Sequence, residues 1–492
     1  MQAGGRGSAD LAVALAGFLE PSKWIPPGFS RWTPLIEGLL EEFLGRFDRD
    51  TLDRLITVQR QMEESTPPAV RAAKLAAELT ALHKVCQIFA RHPAIPEEAR
   101  AALAPLESLP PSEIPEAALF AAKELVSNVL PELSPDATAP GVGRGSVANV
   151  FRFRRQQREP PSVALKTVRP EALKRVRFEA SVLSGMADEA ETLAAIAGPE
   201  FSRTVAGALR DAAQALLREI DFPREALNLT EAKAFYGHNS RVCIPSLAGP
   251  PSKFGVFMEF TGGERVMEAS LDEWSQRAIA TQLFRSLLLD PLFSGLEQSI
   301  FHADPHAGNI LVRPHRCGGY EIVLLDWSQA GHLSRERSLA LIDLCLSCAL
   351  HLDPSIETLE GLLEGASLRN GIPLNSDAED PLHAAFDVIE ELAEEGHPVP
   401  LELLLLRKSF LTIEAVAGSL HRQFNAWRET RGYLAWVLAS EAPLRGLSAM
   451  FRGFDRRGCY RTGITTDRFL HQIYAKVKKC CAVAQETIDA VA

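Results

Sequence analysis

The chain has 492 residues, 46% of them hydrophobic and 23% charged, which allows two or three domains around a large buried core. A formal net charge of −11 argues against a nucleic-acid binder, which carries a basic face; it leaves room for a phosphate ligand held by a local group of donors. Eight scattered cysteines in a chain of this size exclude a disulfide scaffold and fit a reduced, cytoplasmic compartment, and no stretch reaches the ~18 apolar residues of a membrane span.

Taken in order, the first ~130 residues read as helical. The apolar run after Asp10 is too brief for a secretory signal. Leu35, Ile36, Leu39, Leu40, Phe43, Leu44 and Phe47 recur at helical spacing behind Thr33–Pro34, a suitable helix start. A second helix is expected over roughly 67–91. The stretch "PELSPDATAPGVGRG" is rich in proline, glycine and small residues and marks a boundary. From there "SVANVFRFR" and "SVALKTV" alternate as a strand hairpin. Helix follows over about 170–236, then the strands "RVCIPSL" and "FGVFMEF" as a second hairpin joined by "AGPPSK", then helix around 271–297. "NILV" and "YEIVLLDW" form a further hairpin, and everything beyond about 335 reads as helix. The CxxC of Cys345 and Cys348 lies in "LALIDLCLSCALHL", a buried helix, and reads as packing rather than as a metal site. Strands and helices are segregated, so the expected class is α+β, divided at 1–135, 136–265 and 266–492.

The polar chemistry concentrates in "IFHADPHAGNILV". Asp304 and Asn309 stand five apart on a loop entering a strand, and Asp326 ends the next strand. The hairpin brings the three toward one end. Oxygen ligands from Asn309 and Asp326 suit Mg²⁺, which needs few protein ligands when phosphates complete its shell. Asp304 is left to orient a nucleophile or take its proton. Phosphoryl transfer through a loose transition state asks mainly for such positioning and charge neutralisation. Gly143, Gly145 and Ser146 precede the first hairpin strand, where glycines let backbone N–H groups approach phosphates. Lys166 in "VALK" supplies a strand lysine, and a buried lysine needs a carboxylate; Glu225 in "LLREIDFPREALNLTEAKAF" is assigned to it. The strand "FMEF", which ends in Glu259–Phe260 and is followed by Gly262–Gly263, is the expected backbone hinge for adenine. A glycine loop, a strand lysine, a helix glutamate, a hinge, D-x4-N and D-W-S follow one another as in a two-lobed kinase-like fold. The alternatives are loop residues bonding their own backbone, a transition-metal site of His302, Asp304 and His306, and an Asp221 that only caps a helix starting near Pro223.

In place of HRD the loop reads His302-Ala303-Asp304-Pro305-His306-Ala307-Gly308-Asn309. This resembles the UbiB/AarF (ADCK) atypical kinases. "REIDFPREALN" is similar to that family's ExD motif, with Glu219 and Asp221, followed by the lysine-pairing Glu225. "LHKVCQIFARHPAIPEE" resembles its KxGQ motif, with Lys84 and Gln87. "LLRKSFLTIEAVAGSLHRQFN" resembles its C-terminal helical segment. The resemblance spans about 75–430. It implies ATP and Mg²⁺ as cofactors, an N-terminal helical extension over the nucleotide site in which Lys84 meets the ExD carboxylates, and a small-molecule or lipid-like (isoprenoid quinone) partner with peripheral membrane contact. The scarcity of chain between "DWSQAGHLS" and the next helix agrees, since it leaves little for a peptide-docking activation loop.

This chain departs from the family at Cys86 in place of the KxGQ glycine, at two glycines in an alanine-rich loop, at Ser328 in place of the DFG glycine, and at Pro223. The expected function is a Mg²⁺- and ATP-dependent UbiB-type kinase or ATPase. A nucleotide-binding module without turnover and a small-molecule phosphotransferase of the aminoglycoside-kinase type are the alternatives.

Overall fold

The computed structural model describes residues 5–20, 33–83, 116–136, 141–144, 147–155, 161–192, 199–363, 365, 368, 380–394, 397–451, 460, 465–471, 474, 477 and 478. Two compact units divide the chain. The first comprises 1–227 and 246–260, the second 228–245 and 261–492. The N-terminal helices, expected as a separate domain to residue 135, therefore belong to the same unit as the first sheet.

In the first unit, α1 (Gly5–Leu19), α2 (Thr33–Gly45), α3 (Arg49–Arg60) and α4 (Pro68–Glu78) precede α5 (Glu116–Val129). The helix expected over 67–91 breaks at Leu79, which is extended (φ −120°, ψ 115°). The restarted turn at 80–83 is held by the buried Glu179, whose Oε2 accepts from Ala81 N at 2.6 Å. β1 (Leu133–Pro135), β2 (Gly141–Arg144), β3 (Asn149–Arg155), β4 (Ser162–Thr167) and β6 (Gly255–Glu259) form an antiparallel sheet. β1 and β2 lie end to end along one edge of β3, and β4 separates β3 from β6. The strand period of two decides what each face does. Phe151, Phe153, Val163, Leu165 and Phe257 point one way and pack on Ala118, Ala122 and Val126 of α5. Lys166, next to Leu165, therefore points to the other face.

The stretch 170–236, expected as helical, is three helices: α6 (Pro170–Thr192), α7 (Pro199–Glu219) and α8 (Phe222–Tyr236). The last break explains Pro223. Asp221 Oδ1 accepts from Arg224 N at 3.1 Å as the cap of a new helix, so the proline occupies the first turn, where its missing N–H costs nothing.

In the second unit, β9 (Ile310–Pro314) and β10 (Tyr320–Leu324) form the expected hairpin. β7 (Glu264–Arg265) pairs with β9, and β5 (Val242–Cys243) runs parallel to β10. "RVCIPSL" and "FGVFMEF" are therefore not the two arms of a hairpin. Pro245 ends the strand tendency after Ile244, and a lone bridge, Leu247 to Met258, is what remains of the expected pairing. A second ribbon pairs β8 (Gln298–His302) with β11 (Ala330–Ser334). Residues 330–334, for which no element was expected, form a strand, and Gly331 in it lies directly under the Phe301 ring, where a Cβ would clash. Helix α9 (Glu273–Phe284) passes through a π turn at Arg285–Leu289. α10 (Arg335–Leu350), α11 (Ile356–Glu360), α12 (Pro381–Glu394), α13 (Leu401–Leu420) and α14 (Ala426–Met450) follow. Cys345 and Cys348 are buried in α10 as free thiols. Burial pushes the Cys348 thiol up to about 12 and that of Cys345 well above its ordinary value, as packing residues require. No helix among the described residues is long and apolar enough to cross a membrane.

Candidate active site

The loop 303–309 runs between two strands that belong to different sheets of the second unit, and its backbone is laced to the segment after β10. Ala303 N donates to Gln329 O at 3.0 Å, and Leu325 N donates to Asn309 O at 2.9 Å. His302 completes the lacing from within the core. Its Nε2–H donates to Leu325 O at 2.8 Å, and its Nδ1 accepts from Asp304 N at 3.2 Å. Both ring nitrogens are engaged, and burial lowers the imidazole pKa, so the ring is neutral. A transition-metal site of His302, Asp304 and His306 therefore lacks a free His302 lone pair.

Asp304, Asn309 and Asp326 are brought together by this lacing. Asn309 Nδ2 donates to Asp304 O at 3.2 Å, which turns the amide so that Oδ1 is its remaining ligand atom. Asp326 sits at φ +54°, a left-handed conformation that aspartate tolerates and that clusters at functional positions. Its Oδ1 accepts from Ser328 N at 3.2 Å and Ser328 Oγ at 2.7 Å. Ser328 itself has no positive φ, so the glycine that the family places there is not needed for backbone freedom. Trp327 is fully buried; its Nε1–H donates to Leu324 O at 3.3 Å. Asn228 Nδ2 donates to Trp327 O at 2.8 Å. Asp304 Oδ1 lies 3.0 Å from Lys408 Nζ and its Oδ2 4.0 Å from His306 Nε2.

In the first unit, Lys166 Nζ donates to Glu225 Oε1 at 2.9 Å. The two side chains are 9% and 1% exposed. Helix α8 delivers Glu225 from its first turn, to the sheet face that the strand period assigns to Lys166. Gly143 lies in β2, beside Val150 of β3. Gly145 and Ser146 of the expected phosphate loop, and Lys84 and Gln87 of the KxGQ-like motif, lie outside the described residues. Glu219 ends α7 and Asp221 caps α8. The backbone at the expected hinge is partly engaged within the first unit. Glu259 N donates to Ser246 O at 2.7 Å and Phe260 N to Ser162 O at 3.0 Å, so neither N–H is left for adenine. The side chains are also engaged, Glu259 with Ser246 Oγ at 3.1 Å and the Phe260 ring under Arg152 at 4.2 Å.

The donor chemistry of the second unit fits Mg²⁺: Asn309 and Asp326 offer hard oxygen atoms. Among the described residues, the group with metal-ligand spacing is elsewhere, at Asp380, His383 and Glu414, whose ligand atoms lie within 4.8 Å of one another. There His383 Nε2 is closed onto Glu414 Oε2 at 2.8 Å, and Asp380 caps α12 through Leu382 N at 2.9 Å.

Sequence reasoning missed two residues. Lys408 was read only as part of a helical segment, although a charge inside "LELLLLRKSFL" signals a buried-side partner. Asn228, three residues beyond Glu225 on the same helix, carried no signal apart from its polarity.

A model of the ABC1 atypical kinase-like domain matches residues 108–355, half of the chain. Curated relatives include the probable protein kinase UbiB of Vibrio vulnificus, 22% identical over 323 residues that cover 58% of this chain and 55% of that protein. The protein of the same description from Vibrio cholerae is 21% identical over 317 residues, with the same coverages. The chain thus spans about half the length of the curated relatives it matches. A solved Mycobacterium tuberculosis structure, described as the complex of Rv3197 with erythromycin, aligns over 68% of this chain and 86% of that one, at 14% identity and a TM-score of 0.38.

Proposed function

The chain belongs to the ABC1 atypical kinase-like family, the UbiB/AarF group, and from that premise we propose that it consumes ATP with Mg²⁺, as a kinase or ATPase that acts on, or supports, small-molecule or isoprenoid-quinone-type lipid metabolism. One observation supports the reading: the loop that carries Asp304 and Asn309 is laced by hydrogen bonds to the segment that carries Asp326. Asn309 Oδ1 and the Asp326 carboxylate would hold Mg²⁺, which supplies charge neutralisation on the phosphates. Asp304 orients the attacking hydroxyl and takes its proton. The buried Lys166–Glu225 pair of the first unit supports the kinase-like reading on its own. A small or lipid-like acceptor is favoured because Trp327, Ser328 and Gln329 alone separate Asp326 from β11, which leaves no span for a peptide-docking loop. The family names of the curated relatives favour the quinone branch.

The test is phosphate release from Mg·ATP, with and without detergent and phenolic lipid mimics, beside Asp326→Asn. Turnover in the wild type that falls at least a hundredfold in the variant supports the proposal. Turnover unchanged in Asp326→Asn defeats the assignment. Binding without turnover would favour the second reading, a nucleotide-binding module, for which the hold of Ser328 on Asp326 Oδ1 is the supporting observation.

A further inference from the structure

Helix α12 opens with Asp380, Pro381, Leu382 and His383. Asp380 caps the helix, its Oδ1 accepting from Leu382 N at 2.9 Å. His383 stands three residues on, the spacing at which a first-turn side chain leans back over its cap. Glu414 approaches from α13, and its Oε2 lies 2.8 Å from His383 Nε2. The ligand atoms of the three residues lie within 4.8 Å of one another, and none of the three has a part in the proposed reaction. Asp380, Asp387 and Glu414 all favour positive charge at His383. Among the described residues, the ion pair of this group is His383 with Glu414, and no lysine or arginine pairs with its carboxylates. The start of α12 acts as roughly half a positive charge, which three carboxylates outweigh. An apolar wall closes one side: the Phe410 ring lies 4.8 Å from the imidazole, and Phe386 stacks on Phe410 at 5.0 Å. Both phenylalanines are buried. Cys345 and Cys348 of α10 are held as neutral thiols by burial above all, with the charges of Asp380 and Asp387 adding to it.

We propose that Asp380, His383 and Glu414 form a binding site for a divalent transition cation of the Zn²⁺ class. The donor set is one imidazole and two carboxylates, which suits Zn²⁺ better than Mg²⁺. With ligands at about 2.0–2.1 Å from Zn²⁺, tetrahedral ligand atoms stand about 3.3 Å apart. The 2.8 Å separation of His383 and Glu414 therefore opens slightly, and any wider separation in the group closes, both within reach of side-chain rotation. The ion takes the place of the proton between His383 Nε2 and Glu414 Oε2, and that proton is released to solvent. Three protein ligands leave a position for water, and the Phe410–Phe386 wall keeps solvent from one side. The bound cation joins α12 to α13, the helix whose buried Ser409 donates from Oγ to His302 O at 2.8 Å. A loaded site thus braces the helix behind the loop 302–309. The inference does not rest on ATP turnover.

The experiment titrates Zn²⁺ alone into metal-free wild type, His383→Gln, Glu414→Gln, Asp326→Asn and a Cys345→Ala, Cys348→Ala double variant by calorimetry. Thermal unfolding is followed with Zn²⁺ and with chelator, and the absorption spectrum of the Co²⁺-loaded wild type is recorded. Wild type should hold one Zn²⁺ whose binding weakens about tenfold or more in His383→Gln and in Glu414→Gln, since loss of even an outer partner of a ligand costs about 10–100-fold. Zn²⁺ should raise the wild-type thermal midpoint above that of either variant. Asp326→Asn and the cysteine variant should keep the site, and the Co²⁺ spectrum should lack a thiolate-to-metal band. Wild-type affinity in both His383→Gln and Glu414→Gln, or a wild type without a Zn²⁺ site, overturns the proposal. Loss of the site in the cysteine variant with a thiolate band in the Co²⁺ spectrum also overturns it, by giving the ion to Cys345 and Cys348. Loss in Asp326→Asn overturns it as well, by placing the ion beside the catalytic loop. Should His383→Gln or Glu414→Gln fail to fold in chelator, the other variant and the Co²⁺ spectrum decide.

Discussion

Replacing Glu225 by Gln tests the buried ion pair of the first unit. At 2.9 Å and an effective dielectric constant of about 20, the Coulomb attraction of the pair is about 6 kcal/mol. Desolvation of both charges offsets much of it, so the pair as a whole contributes little net stability. Removing one partner is different, because the other charge stays buried. With the Lys166 side chain 9% exposed and that of Glu225 1% exposed, Glu225→Gln should cost about 3 kcal/mol, the low end for a broken buried pair, since the amide oxygen still accepts from Nζ. For a unit of this size that is on the order of 10 °C in thermal midpoint. Lys166→Met paired with Glu225→Leu removes both charges and should recover most of that loss. The same double variant should show no midpoint rise on addition of Mg·ATP. Thermal unfolding with and without nucleotide reads both effects. Single variants within about 0.5 kcal/mol of wild type, with additive effects in the double variant, would refute the reasoning.

Three further outcomes follow from other parts of the molecule. Gly331→Ala would place a Cβ 2.1 Å from Phe301 Cζ, so it should destabilise by about 1–3 kcal/mol or more through overpacking; Phe301→Leu in the same chain should relieve that loss, and no relief in thermal unfolding would contradict the contact. Asn228→Leu leaves the Trp327 carbonyl without its 2.8 Å donor and should cost about 1–3 kcal/mol, with a slower kcat because Trp327 adjoins Asp326. His383 has a pKa raised by its hydrogen bond to Glu414. A raised folded-state pKa means stability fully present below the unfolded value near 6.5 and lost as pH rises through the folded value. The stability difference between wild type and His383→Gln should therefore be larger at about pH 5.5 than at about pH 8.5, and a difference that grows with pH would contradict the pair.

The local alternation of "SVANVFRFR" and "SVALKTV" was enough to read β3 and β4 and to place Lys166 on a sheet face. The alternation of "NILV" and "YEIVLLDW" did the same for the hairpin that carries Asn309 and Asp326. What stayed illegible depended on contacts between distant residues. The strand at 330–334 pairs with β8 and seats Gly331 under Phe301, and no periodicity in "SQAGHLS" announces that. The partition of "RVCIPSL" between two sheets was hidden because both pairings suit the same apolar residues, and Pro245 alone hints at the switch. Asp221 was legible both as a motif carboxylate and as a cap; the short Asp221–Arg224 hydrogen bond is what assigns the cap. Lys408 was invisible as a site residue because Asp304 lies 104 positions away in the chain.

The most direct test of the account is calorimetric titration of ATP into wild type, Lys166→Met and Asp326→Asn proteins, each in excess Mg²⁺ and in chelator. Wild type should bind at least tenfold more tightly with Mg²⁺ than without. Asp326→Asn should lose that Mg²⁺ advantage, and Lys166→Met should weaken binding in both conditions. A wild type indifferent to Mg²⁺, or an Asp326→Asn protein that keeps the full advantage, would contradict the placement of the metal and of the triphosphate.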